Sequence, residues 1–118
     1  MQAKDDLEFA RCALKEEFFA QCCFVCQQAA EKALKALLFK RGVRVILTHS
    51  VLKLCQELRL NGRLRKAAGV LDQYYLSGRY PDALPGGAPF EAFSRDQARE
   101  SLELASGLIA AVERRFKR

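Results

Sequence analysis

Apolar residues recur along this chain at spacings of three and four, the period of an α-helix with one buried face. In the first segment Ala3, Leu7, Ala10, Leu14 and Phe18 form one stripe, and Asp5, Asp6, Glu8 and Lys15 fall outside it. The early acids suit a helix N-terminus, where the backbone dipole is positive. A wider stripe of Phe19, Cys22, Cys23, Cys26, Ala30, Ala33, Leu34 and Leu37 predicts a second helix from about Ala20 to Arg41. Gly42 follows its basic end, as expected of a residue that closes a helix in the left-handed conformation. This helix has the widest apolar surface and is expected to be central, with Gln21, Gln28, Lys32 and Lys35 on another face.

After a short apolar link, Val43 to Leu47, either Thr48 or Ser50 can cap a short helix whose inner face is Val51, Leu54, Cys55 and Leu58. Asn61-Gly62 marks a turn. A fourth helix is predicted from about Arg63 to Tyr75, with Leu64, Ala67, Ala68, Leu71, Tyr74 and Tyr75 inward. Gly69 weakens it by about 1 kcal/mol relative to alanine, or lets another helix approach closely. Ser94-Arg95-Asp96-Gln97 reads as a capping box, and Ala98, Leu102, Ala105, Ile109, Val112 and Phe116 continue the helical period behind it. Every strong period is helical, so the expected fold is all-α: an antiparallel up-and-down bundle of about five helices, one of them short.

The link from Leu76 to Phe93 takes 18 residues, where connections in bundles usually take about 2–8. It holds all three prolines together with Tyr80, Leu84, Phe90 and Phe93. Those aromatics favour a segment packed back on the bundle, and the prolines reduce the entropy lost on ordering it. Arg79 and Asp82 would then be held beside Tyr80, presenting a guanidinium suited to a phosphate or a partner carboxylate. A plain turn, with Arg79 paired to Asp72 or Asp82, accounts for the same residues.

Composition narrows the class. A chain of 118 residues fits one domain, 1–118. Half of it is apolar and 29% is charged, the balance of a globular protein. The longest uncharged run, Phe18 to Ala30, is too short and polar to cross a bilayer, and the charged start has no apolar core of a secretory signal. A cytoplasmic location and no membrane partner are expected. The five cysteines are odd in number and so read as reduced thiols. Cys23-Phe24-Val25-Cys26 has the C-x-x-C spacing, but no strand precedes it, and the single histidine leaves a zinc site short of ligands. The cysteines are read as small core hydrophobes, with no metal and no cofactor.

The net charge of +6 is spread evenly, with 10 basic and 7 acidic residues in each of the halves 1–59 and 60–118. Local clusters stand out at Lys40-Arg41-Arg44, Arg59-Arg63-Arg65-Lys66 and Arg114-Arg115-Lys117-Arg118. Such clusters attract phosphates, and they also gather at helix C-termini, where the dipole favours them. There is no glycine-rich phosphate loop, no G-x-S-x-G and no helix-turn-helix spacing with a basic second helix.

Taken in order, "QQAAEKALKALL" (Gln27–Leu38), Gly42, "THSVLKLC" (Thr48–Cys55), "LDQYYLSGRYPDA" (Leu71–Ala83) and "AFSRDQARESLELASGLI" (Ala92–Ile109) resemble the HEPN domain, the higher eukaryotes and prokaryotes nucleotide-binding domain. The resemblance spans about Asp5 to Phe116. It implies a helical bundle similar to the C-terminal domain of kanamycin nucleotidyltransferase, a tendency to form homodimers, and a small nucleotidyltransferase as partner. Some such pairs behave as toxin and antitoxin. Many members are metal-independent ribonucleases with R-x(4–6)-H, and Arg44 and His49 have that spacing here. A histidine can move protons at the ribose hydroxyl, and an arginine can neutralise phosphate charge. This chain departs from the nuclease pattern in two ways: its motif precedes the short third helix, and Val51 stands where related toxins have tyrosine.

The expected site is therefore a nucleotide- or RNA-binding groove edged by Gln28, Lys32, His49, Tyr75, Arg79, Tyr80 and Asp82. Arg79 and Lys32 would take phosphate, and Tyr75 or Tyr80 would stack on a base. The alternatives are a metal-independent endoribonuclease toxin that uses Arg44 and His49 across a dimer interface, and a structural subunit whose aromatic link seals an oligomer. His49 as an orienting residue at the start of the third helix, and Gln28 and Lys32 as a solvated helix face, are the plainer readings of the same residues.

Overall fold

A computed structural model describes residues 2–79 and 93–117. Five helices appear in it: α1 (Gln2–Lys15), α2 (Phe19–Lys40), α3 (Val51–Glu57), α4 (Gly62–Arg79) and α5 (Arg95–Phe116). No strand occurs among the described residues. The fold is the expected all-α bundle.

α2 and α5 run parallel and in contact. Cys22 Sγ reaches the Ala98 carbonyl at 3.7 Å near one end. Near the other, Lys40 donates to the Phe116 carbonyl and lies 4.8 Å from its ring centre. α1 runs against both: Lys4 pairs with Glu113 at 2.9 Å, and Arg95 pairs with Glu17 at 2.6 Å. α4 is also antiparallel to the pair, since Tyr75 stacks on Phe24 of α2 with ring centres 5.2 Å apart and Tyr74 bonds Glu100 of α5. The four long helices thus go up, down, up and down. α2 and α5 form the short diagonal, and α1 and α4 flank it from opposite sides. Leu34 and Leu37 of α2 and Leu108 and Ile109 of α5 are fully buried in the core. Each such side chain contributes about 1.5–3 kcal/mol by leaving water.

The helix ends explain the main departures from the sequence reading. α1 stops at Lys15, because Glu17 turns left-handed (φ 66°) and the Phe18 amide returns to the Ala13 carbonyl at 2.8 Å. Phe18 therefore leaves the predicted stripe and is 57% exposed, and Ala13 is buried instead. α2 closes the same way around Gly42 (φ 98°), with Val43 N–H on the Leu38 carbonyl at 3.1 Å. α3 closes around Arg59 (φ 56°), with Leu60 N–H on the Cys55 carbonyl at 3.0 Å. All three are Schellman closures, and only one uses the glycine that favours them. α4 runs on through Leu76 to Arg79, so those residues are helix rather than link. The expected packing of the rest of the link, with Tyr80 and Asp82, lies outside the described residues. Phe93 at its far end is buried edge-on to Tyr74, 6.2 Å between ring centres.

Cys22, Cys23, Cys26 and Cys55 are buried thiols, as their period suggests, and Cys12 is exposed. Burial pushes Cys23 up to about 11 and Cys55 up to about 12. Both α3 and α5 have their expected caps: Ser50 accepts from Lys53 N–H, and Ser94 and Gln97 make the reciprocal capping box.

Candidate functional site

The link from Gly42 to Ser50 folds back along α2, with Val43 and Ile46 packed on the core. It sets His49 over the middle of α2, where the helix carries polar residues on its buried side. Gln27 is 1% exposed and Glu31 is 7% exposed. Side chains this polar stay inside only when hydrogen-bonded.

Gln27 Nε2 donates to the His49 carbonyl at 3.1 Å and to Asp72 Oδ1 of α4 at 3.2 Å. Its Oε1 accepts from Gln28 Nε2 at 2.8 Å. Glu31 Oε2 accepts from Lys35 at 2.8 Å and stands 3.0 Å from His49 Nδ1. Its Oε1 is buried without a hydrogen-bond partner among the described residues. Asp72 closes the arrangement from α4. Its Oδ2 accepts the Ser50 hydroxyl at 2.7 Å and Leu52 N–H at 3.0 Å, and its Oδ1 accepts Val51 N–H at 2.9 Å. One carboxylate thereby satisfies the orphan amides of the first turn of α3 and ties that helix to α4.

These groups wall a cleft of about 510 Å³ between α2 and α4, roofed by the start of α3. Gln28, His49, Ser50 and Asp72 line its polar part, with Glu31 and Gln27 behind them, and Tyr75 and Leu76 form the apolar side. The His49 side chain is 75% exposed, although its Nδ1 faces a carboxylate that is only 9% exposed. A carboxylate accepts only, so Nδ1 carries the proton and Nε2 is the atom left for a ligand.

Of the residues expected at the site, Gln28, His49 and Tyr75 come together in this cleft. Lys32 does not: its ammonium lies 2.7 Å from Asp6 of α1, outside the cleft lining. Arg44 is exposed on the link and is not among the cleft residues either. Arg79 ends α4 one turn after Tyr75, and Tyr80 and Asp82 lie outside the described residues. Asp72, one of the acids considered for Arg79, spends its oxygens on α3 and Gln27. Sequence reasoning does not single out Gln27, Glu31 or Asp72 for the site. Gln27 and Glu31 follow Cys23 at steps of four, so they are polar residues set on a core period, and that is the available signal.

No group of three or more possible metal ligands occurs among the described residues. No helix among them is long and apolar enough to cross a membrane. The lysine bridge from Lys40 to Phe116 brings the basic ends of α2 and α5 together, with Arg41, Arg44, Arg114 and Lys117 exposed or half-buried around it.

A family model described as the HEPN domain matches residues 1–115. Among solved structures, TT1696 from Thermus thermophilus is 41% identical, with a TM-score of 0.87 over 96% of this chain and 91% of that one. ST0689, described as an archaeal HEPN homologue, is 34% identical with a TM-score of 0.81 over 97% and 91%. An HEPN domain protein from Thermotoga maritima is 35% identical with a TM-score of 0.79 over 99% and 95%. A curated protein of Methanocaldococcus jannaschii, named "Putative toxin MJ1304", is 23% identical and covers 95% of this chain and 82% of its own length.

Proposed function

The chain belongs to the HEPN domain family, and from that premise we propose that it is the nucleotide- or RNA-binding half of a toxin–antitoxin pair, working as a homodimer beside a small nucleotidyltransferase. The observation that carries this reading is the exposed imidazole of His49, held at 3.0 Å by Glu31 at the mouth of a cleft with an aromatic wall. A planar base can lie against Tyr75, itself backed by Phe24. Gln28 and His49 offer hydrogen bonds to its edge. The phosphate is assigned to Arg79, one turn beyond Tyr75 on α4, on the chemistry of a guanidinium. Tyr80 and Asp82, next in sequence, are assigned to the same ligand or to the partner protein. The toxin name of the archaeal relative supports the toxin–antitoxin setting.

Calorimetric titration with nucleoside monophosphates tests this. The wild type should bind at least one of them, and His49→Ala and Tyr75→Ala should each weaken binding by roughly tenfold, the size of one hydrogen bond or stack. Absence of binding by the wild type rejects the reading.

The Glu31–His49 pair also favours a second reading, a metal-independent ribonuclease in which His49 moves protons and Arg44 arrives from the other protomer. A carboxylate behind an imidazole fixes its tautomer and its orientation, as acid–base work requires. RNA cleavage that persists in EDTA and disappears in both Arg44→Ala and His49→Ala supports it; cleavage unchanged in His49→Ala rejects it.

A further inference from the structure

We propose that the end of the bundle where α2 and α5 finish is a docking surface for the phosphate backbone of single-stranded RNA. This rests on the nucleotide-binding reading above and adds to it the substrate class: a nucleotide within a strand, not a free one.

The three basic clusters are far apart in sequence, and the fold gathers them. α2 and α5 end side by side, joined by Lys40 and Phe116. α4 runs the opposite way, so it begins toward that same end. Its Arg63 shares a groove with Gly107 of α5. Arg114 lies two turns beyond Gly107 on the same face of α5, about 10 Å along the axis. Arg41 and Arg44 follow the last turn of α2, and Arg59 precedes the first turn of α4. These five arginines are exposed and make no ion pair among the described residues. Of the acids near them, Glu113, Asp6 and Glu8 are already matched by Lys4, Lys32 and Arg11, and Asp5 and Glu57 remain.

The helix dipole accounts for cations at the C-termini of α2 and α5. It works against those of α4, whose first turn holds Arg63 and Arg65 and no acid. Arg59 has a cost of its own: its backbone is left-handed (φ 56°), a conformation that glycine adopts without penalty. Unpaired guanidinium groups kept in place against such costs fit a polyanion, and their geometry suits phosphate oxygens. Two features favour a single strand. Phe39, 51% exposed beside Lys40, offers a ring on which a base can stack. The link 43–50 also leads from this surface to His49 at the mouth of the cleft, with Arg44 on the way. Glu31, beside His49, and Arg41 are about 15 Å apart along α2. A strand with one base in the cleft therefore reaches the arginines within a few nucleotides.

The experiment measures binding of a labelled single-stranded RNA of about 12 nucleotides by fluorescence anisotropy across a series of KCl concentrations. The same RNA as a duplex and vesicles containing phosphatidylserine are the competing ligands. The strand should bind at least tenfold tighter than any nucleoside monophosphate, and its affinity should fall steeply with salt, by a log–log slope of about −0.7 per phosphate contact. Arg41→Gln/Arg114→Gln and Arg63→Gln/Arg114→Gln should each weaken the strand about tenfold and flatten the slope by about 1, with monophosphate binding unchanged. Lys15→Gln/Arg99→Gln removes the same net charge at the opposite end and should change neither. Thermal melts confirm that each variant is folded. Equal losses in the control variant overturn the inference, because net charge and not this surface would then set the affinity. Duplex or vesicles binding as tightly as the strand, or a strand no tighter than a monophosphate, overturn it likewise and leave nucleotide binding intact. Absence of binding by strand and monophosphates alike removes the nucleotide reading and the inference together.

Discussion

The Ser50 hydroxyl lies 2.7 Å from Asp72 Oδ2, and this contact clamps the first turn of α3 to the middle of α4. Two backbone amides and Gln27 converge on the same carboxylate. Replacing Asp72 by alanine strands all four donors, so it should cost about 2–4 kcal/mol. Ser50→Ala removes a helix cap and should cost about 1 kcal/mol. Urea unfolding of both variants measures the difference; equal, small losses would mean that Asp72 is not the clamp.

Lys32 belongs to the packing of α1, because its ammonium is 2.7 Å from Asp6. The lysine is half-exposed, and such pairs contribute at most about 1 kcal/mol. Lys32→Ala should therefore lower stability by less than that and leave nucleotide titrations unchanged. A tenfold loss of nucleotide affinity in this variant would return Lys32 to the site.

Arg59 holds a left-handed conformation, φ 56°, at the close of α3. Glycine adopts it without the steric penalty of a Cβ atom. Arg59→Gly should stabilise the protein by about 0.5–1 kcal/mol, seen as a rise in Tm and in the urea midpoint. A fall in both would show that the arginine makes a contact worth more than the backbone relief.

The buried thiols set an alkaline limit. Cys23 and Cys55 are pushed up to about 11 and about 12, so they stay protonated while an unfolded chain releases their protons above about 9. The unfolded state then binds fewer protons than the native one, and stability falls as pH rises from about 9 toward 11. Denaturant midpoints across that range should decline, and Cys23→Ala should flatten the decline while lowering stability elsewhere. In native protein at pH 8, Cys12 should react with a thiol reagent while Cys22, Cys23, Cys26 and Cys55 react only on unfolding.

The helices were legible because their stripes are long and uninterrupted, and the caps at Ser50 and Ser94 are local chemistry. What escaped was set by distant partners or by backbone strain. The end of α1 depends on Glu17 taking a conformation that carries no sequence mark. Ser77 and Gly78 have low helix propensity, yet α4 continues through them. At the site, His49, Gln28 and Tyr75 were visible as exposed or aromatic residues beside a motif. Gln27, Glu31 and Asp72 were hidden, since each owes its role to groups 18 to 45 residues away. A polar residue on a core period was the one trace they left.

With α2 and α5 on the short diagonal, α1 and α4 each rest mainly on that pair. Loosening α4 would open the cleft without disturbing the α1 flank. Amide hydrogens of the two flanks should then exchange with separate opening free energies, and a ligand seated in the cleft should slow only those of α4 and the start of α3. The bundle would behave as two hinged leaves sharing one spine, with nucleotide capture confined to a single leaf.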